Sequence, residues 1–311
     1  MAIQWVATDF GGPEVLKTRS VDLGPPGTGQ VTIEVRAAGM NPADYKHIAS
    51  GQDPSLLPLT LGYEVAGIVA ALGPNTVLAS GPGAIGEEVV AFQVLGGYAT
   101  ALTVSAADVF AKPPALEFAQ AANLLLVGTT ASEMLHVSNV TAGDVVLVHG
   151  AAGAVGTSVL QQARLLGARV VGTASPDNFE QVRRYGATPV AYGPGLEDRV
   201  RVAAPDGVTA ALDTVGTDEA VDVSLALVSD RERIVTIAAF ARAKADGIAL
   251  LGASNSASAP YRAAQRARIL GLAGDGQLEV PIGATYAIDD APAALSALMG
   301  RHPYGKLALI A

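Results

Sequence analysis

The stretch Val145–Gly156, VVLVHGAAGAVG, constrains this chain more than any other. Five apolar-rich residues give a short β-run, small residues follow at 150–154 with Gly156 beyond them, and a helix is expected from Thr157 to about Leu166. Absent or tiny Cβ atoms let the backbone bend sharply and approach a ligand. The uncompensated N–H groups and positive dipole end of the following helix favour an anion there. A glycine-rich turn alone is a weak signal. Its context adds weight, because a further β-run, Arg169–Thr173, stands where a βαβ unit needs its second strand. Four more β-runs follow at Pro189–Tyr192, Ala210–Asp213, Arg233–Ile237 and Ile248–Leu251, separated by helical segments. Six such runs predict a parallel, doubly wound sheet that binds a dinucleotide.

The rest of the chain reads differently. Residues 1 to about 115 are turn-rich and strand-like, with VTIEVR at Val31–Arg36 alternating as a half-buried strand should. Further strands are expected at Gly67–Leu72, Glu88–Phe92 and Tyr98–Val104, and helices at Leu116–Leu126 and Thr130–Ser138. Residues 260–274 suggest one basic-faced helix, and the tail returns to extended character at Ala284–Ile288 and Lys306–Ile310 around a helix at Ala291–Met299. The Gly81–Gly86 stretch lacks the Lys-Ser/Thr ending of a phosphate loop and reads as a surface turn. With 311 residues, two domains are the default. A net charge of −9 argues against nucleic acid and anionic membranes as partners, and the absence of cysteine removes disulfides and thiolate-ligated zinc. No leader-like segment or apolar run of membrane-spanning length is visible, so a soluble cytoplasmic protein is expected.

Six short segments, in order, carry a family resemblance: AGMNPADYK at Ala38–Lys46, LGYEVAG at Leu61–Gly67, GGYA at Gly96–Ala99, the Gly150–Gly156 turn, DTVG at Asp213–Gly216 and YGK at Tyr304–Lys306. Together they resemble the zinc-independent quinone oxidoreductase branch of the medium-chain dehydrogenase/reductase superfamily. The resemblance implies an α/β fold with a GroES-like β-barrel domain, residues 1–115 and 276–311, around a Rossmann domain, residues 116–275. It implies an NADPH-dependent reductase of quinones or α,β-unsaturated carbonyls. A protein that binds NADPH for redox sensing or structure, with little catalysis, is the alternative. A homodimer through the last Rossmann strand, Ile248–Leu251, is also implied.

Zinc-dependent relatives use a Cys and a His where this chain has Asn41 and Tyr63, which are poor Zn²⁺ ligands. No metal is therefore expected, and another group must hold the negative charge that develops on a carbonyl oxygen. By residue type alone, Asn41-Pro42 is an ordinary helix entry and Lys46 a solvated charge. The resemblance instead implies that Asn41 and Lys46 line a substrate cleft as catalytic groups, with Tyr63 lining the pocket or donating a proton. It also implies cofactor contacts from Thr130, Ala152, Gly153, Ala154, Val155, Thr173, Ala174, Ser175, Tyr192, Val215, Ile237, Ala238, Ser254 and Lys306. A small neutral residue, Ala174, at the end of the second strand leaves room for a 2′-phosphate where an NAD-preferring domain has an acid. Asp177 runs against that preference, and Arg183 or Arg184 is left to supply a cation. The four histidines show no metal-like spacing and are expected to be ordinary packed or surface residues.

Overall fold

A computed structural model describes residues 1–252, 257–300 and 303–311. Ser254, Asn255 and His302 lie outside these. The chain divides into a first unit, Met1–Leu126 with Leu270–Gly276 and Val280–Ala311, and a second, Val127–Ile269 with Gln277–Glu279. Leu116–Leu126, whose composition suggested the start of the second domain, thus belongs with the first unit.

The first unit is built on strand Gln30–Gly39, the sequence's clearest alternating run. It pairs antiparallel with Glu64–Leu72, with Ala101–Ser105 and with the C-terminal strand Lys306–Ile310, where Ala308 lies opposite Gly39. Glu88–Phe92, Val109–Ala111 and Ile282–Ala287 complete a seven-stranded sheet, and Ala2–Ala7 joins Leu16–Val21 and Leu59–Thr60 in a smaller one. Their inward residues, including Ile33, Val35, Leu61, Val65, Val89, Leu307 and Leu309, form one core. Trp5 closes its side by donating its indole N–H to Ile288 O at 2.7 Å.

In the second unit the six expected β-runs form one parallel sheet. Its order is 188–191, 169–174, 145–149, 210–213, 234–236 and 249–250. This is the doubly wound arrangement whose order reverses at the first strand, and ligands collect at the carboxyl ends of such strands. All five residues of Val145–His149 are buried, as a central parallel strand requires.

Two helical segments differ from expectation. Within Leu116–Leu126 the short helix Phe118–Ala121 is followed by the start of a longer one, Leu125–Val137. Residues 260–274 form two helices, Ala259–Ala264 and Arg266–Gly274, rather than one. The first of these is pinned to Leu125–Val137. Arg262 pairs with Glu133 at 2.7 Å, and the Tyr261 ring stacks on His136 at 3.8 Å.

A carboxylate ties the amino end of the sheet together. Asp144 accepts from Thr141 N–H at 2.7 Å and Thr209 Oγ1 at 2.8 Å, and pairs with Arg233 at 2.9 Å. Burial alone would push this carboxyl up, but Arg233, Thr141 and Thr209 outweigh it and bring it to about 2, below the ordinary 3.8. A depressed folded value stabilises above about pH 4, and that stabilisation is lost as pH falls through about 2. Asp144→Asn should therefore lower the thermal midpoint at neutral pH, with the gap from the parent closing as pH falls from about 4 toward 2. A gap independent of pH over that range contradicts this account.

Candidate functional site

In the first unit, helix Pro42–Ser50 begins at Asn41, and Pro42 at its first position needs no N–H partner. Asp44, fully buried, accepts from Asn41 N–H at 2.7 Å, Gly62 N–H at 3.1 Å and Tyr98 O–H at 2.9 Å. One carboxylate thereby fixes the helix entry and the backbone just before Tyr63. Burial pushes Asp44 up to about 6, while its three donors and the Lys306 charge pull the other way.

A second buried group adjoins it. The Asn41 amide donates to Glu64 Oε1 at 2.9 Å and its oxygen accepts from the Lys306 ammonium. Lys306 also donates to Met40 O at 2.6 Å and lies 3.7 Å from Glu64 Oε1, while Glu64 Oε2 accepts Leu126 N–H at 3.0 Å. Burial pushes the Glu64 carboxyl up and the Lys306 ammonium down, and the opposite charge on each partner resists both shifts. Lys306, expected at the cofactor, is committed to this cluster because a buried ammonium needs oxygen partners. Asn41 is likewise 1% exposed, with both ends of its amide engaged.

Lys46 and Tyr63 stand apart from this buried cluster. Lys46 is exposed, and its ammonium has no hydrogen bond or ion pair among the described residues. Tyr63 is half-buried. Burial, and then the Asp44 charge, push its hydroxyl up to about 12, so it stays protonated at neutral pH. Its oxygen is hydrogen-bonded to Nδ1 of His47, and the rings meet edge to face at 5.7 Å. Nothing in the spacing of His47 signalled this contact, which spans 16 residues.

In the second unit, Gly150 adopts φ +75° and donates its N–H to Thr173 Oγ1 at 3.1 Å. Helix Ala154–Leu165 starts three residues earlier than expected, and its first i→i−4 bond runs from Thr157 N–H to Gly153 O at 2.8 Å. The amides of Ala154, Val155 and Gly156 precede that bond, and Gly153 at the N-cap offers no side chain to them. A Cβ on Gly156 would lie 2.1 Å from Gly150 O, so only glycine lets this helix pack so tightly on the turn. Val215, half-exposed, flanks the turn, since a Cβ on Gly150 would meet its Cγ2 at 2.6 Å.

Asp213 orders the neighbouring strand ends. It accepts Val215 and Gly216 N–H, both at 2.9 Å, and Thr236 O–H at 2.7 Å. Thr236 in turn accepts from Ala238 N–H at 3.1 Å, holding the loop that carries the half-buried Ile237 and Ala238. Thr130 is half-buried on Leu125–Val137.

The expected 2′-phosphate region is partly rearranged. Thr173 is 3% exposed and its hydroxyl serves the turn, so it is not presented to a ligand. Ala174 pairs in register with Ala191, which brings the next residues, Ser175 and Tyr192, to adjacent strand ends. Tyr192 is 61% exposed. Arg183 pairs with Glu180 and Arg184 with Glu279. Sequence reading missed Arg199, whose guanidinium donates to Ala191 O at 2.9 Å, Gly193 O at 2.7 Å and Pro194 O at 2.8 Å. No carboxylate pairs with it among the described residues. Glu219 approaches the same turn by accepting Gly193 N–H at 2.9 Å.

Comparison with known proteins agrees with this architecture. The alcohol dehydrogenase GroES-like domain model matches residues 27–114, and the zinc-binding dehydrogenase model matches residues 154–273. The chain belongs to the medium-chain dehydrogenase/reductase superfamily, in its quinone oxidoreductase branch. The expected pairing of a GroES-like domain with a Rossmann sheet is borne out. Quinone oxidoreductase of Sus scrofa is 39% identical over 178 residues, covering 56% of this chain and 53% of the relative. The matched region is thus about half the length of such curated relatives. A mycobacterial protein solved with NADPH superposes with a TM-score of 0.85 at 29% identity, covering 99% of this chain and 100% of that one. An NAD-dependent alcohol dehydrogenase superposes with a TM-score of 0.87 at 26% identity, covering 99% of each chain.

The zinc named by one family model does not suit these residues. The chain has no cysteine, and Asn41 binds an ammonium while Tyr63 binds an imidazole. Among the described residues no group of three His, Cys, Asp or Glu side chains could hold a metal. A dinucleotide does suit the second unit, whose turn is packed so closely that a Cβ at Gly150 or Gly156 has no room.

Proposed function

We propose that this chain is an NADPH-dependent, zinc-independent reductase of quinones or α,β-unsaturated carbonyls. The observation that carries the reading is Lys46, an exposed and unpaired ammonium on a helix whose entry is locked by the buried Asp44 network. The amides of Ala154, Val155 and Gly156, with Ala152 and Gly153 beside them, would hold the pyrophosphate at the helix start. Ser175 and Tyr192 would take the 2′-phosphate, with Arg199 adding positive charge to the turn behind Tyr192. Thr130, Ile237 and Ala238 would face the nicotinamide end, and Val215 the adenosine half. Bound NADPH supplies a hydride.

Lys46 then offers charge and a hydrogen bond to the oxygen on which negative charge develops. Tyr63, kept protonated by its surroundings, donates the proton that completes the reduction. Asn41 and Asp44 act as positioning residues, since neither is exposed to an acceptor. A small-molecule acceptor and a homodimer formed across the sheet edge at Ala249–Leu250 complete the reading. Among the described residues no helix is long and apolar enough to cross a membrane.

Lys46→Ala tests the assignment. The kcat should fall on the order of 10²-fold, the scale of losing one oxyanion donor, with the NADPH dissociation constant unchanged. Lys46→Arg, which keeps the charge, should recover part of the rate. An unchanged kcat in Lys46→Ala would reduce Lys46 to a surface charge.

A further inference from the structure

His47 follows Lys46 on helix Pro42–Ser50 and is exposed, yet its Nδ1 is hydrogen-bonded to the Tyr63 hydroxyl. The two rings meet at 89°, so the imidazole approaches the phenol by its edge, where its nitrogens lie, rather than by stacking. Tyr63 itself directly follows Gly62, whose N–H Asp44 holds at 3.1 Å. The other described histidines are placed differently. His149 is buried against Ser224, and His136 is stacked on Tyr261. Among the described histidines, only His47 links a phenolic hydroxyl to the protein surface.

We propose that His47 is a proton-relay residue, which returns to Tyr63 from solvent the proton that Tyr63 gives to the reduced acceptor. The proposal rests on the reductase reading above and deepens it. Hydride addition leaves an electron pair on the acceptor, as an enolate or a hydroquinone anion. The Tyr63 O–H bond breaks, its proton bonds to that anion, and a phenolate remains. His47 passes its Nδ1 proton to the phenolate oxygen, and the Tyr63 O–H bond re-forms. A water or buffer acid then reprotonates the exposed ring. The net transfer is one proton from solvent, with no oxidant or reductant beyond NADPH and the acceptor. Half-burial and the Asp44 charge make the Tyr63 phenolate strongly basic, so it must be reprotonated before the next cycle. An imidazole already bonded to it is the shortest route.

The test compares first and later turnovers. In stopped flow with NADPH and an enone or quinone, His47→Ala and His47→Gln should oxidise the first equivalent of NADPH within about twofold of the parent rate. The steady-state kcat should fall at least about 10-fold, toward the general acid–base range. Added imidazole should restore kcat in proportion to its concentration, an effect that lost packing would not produce. A kcat equal to the parent's, or a loss already complete in the first turnover and indifferent to imidazole, overturns the relay while leaving the reductase reading intact. A parent protein that binds NADPH but reduces neither acceptor class overturns both.

Discussion

Gly156→Ala should raise the NADPH dissociation constant on the order of 10²-fold, the effect of losing one or two charge-assisted amide contacts of about 1.5–3 kcal/mol each. The new Cβ would stand 2.1 Å from Gly150 O and 2.9 Å from Ala151 Cα. Both are backbone atoms of the turn, so no side-chain rotation relieves the overlap. Helix Ala154–Leu165 must therefore move away, taking the amides of Ala154, Val155 and residue 156 from the position in which we propose they hold the pyrophosphate. The same overpacking should cost about 1–3 kcal/mol of stability. Gly153→Ala is the internal comparison. Its Cβ would meet Gly150 O at 3.2 Å, from a backbone at φ −72° that any residue adopts. A shift of a few tenths of an ångström accommodates it, and NADPH affinity should change much less. Fluorescence titration of both variants checks the order, and a larger loss in Gly153→Ala contradicts the account.

The second large effect concerns Lys306. Lys306→Met leaves the Glu64 carboxylate fully buried, with the Asn41 amide and Leu126 N–H as its donors. Stranding one member of a buried pair costs about 3–5 kcal/mol, whereas neutralising both partners is far milder. Glu64→Gln combined with Lys306→Met should therefore be more stable than Lys306→Met alone. Trp5 is the chain's single tryptophan and is bonded to Ile288 in the first unit, so its fluorescence during urea unfolding reports that unit. Equal midpoints for the single and double variants would show that the ammonium and carboxylate are not coupled.

Local pattern made the scaffold legible. The order of apolar runs and glycines after Val145 defined all six parallel strands, because each strand is short and followed by its own helix. Gly156 was legible as a glycine but not in its role. It lies inside the helix and serves close packing rather than the turn, so the helix begins earlier than the glycine pattern implied. The break at Gln265 was hidden because Ala and Arg favour helix on both sides. The anchors Glu133 and His136, which hold the first half, are more than 100 residues away in sequence.

The site was less legible than the scaffold because burial decides what a polar residue can do. Lys46 and Lys306 are the same side chain in two equally suggestive motifs. One is presented unpaired at the surface, while the other neutralises a buried carboxylate. Thr173 stands at a strand end, as a phosphate ligand should, but its hydroxyl is used by Gly150. His47 and Tyr63 meet through the fold of the loop after Leu59–Thr60, which leaves no periodic trace in the sequence.

The central claim is hydride transfer to an activated carbonyl without a metal. It is tested most directly by following NADPH oxidation by chelator-treated, metal-free protein with a 1,4-quinone and with an enone. The account predicts turnover with at least one of these acceptor classes, at a rate that added Zn²⁺ does not raise. Tight NADPH binding with no oxidation by either class, or activity that appears only when Zn²⁺ is restored, would contradict it.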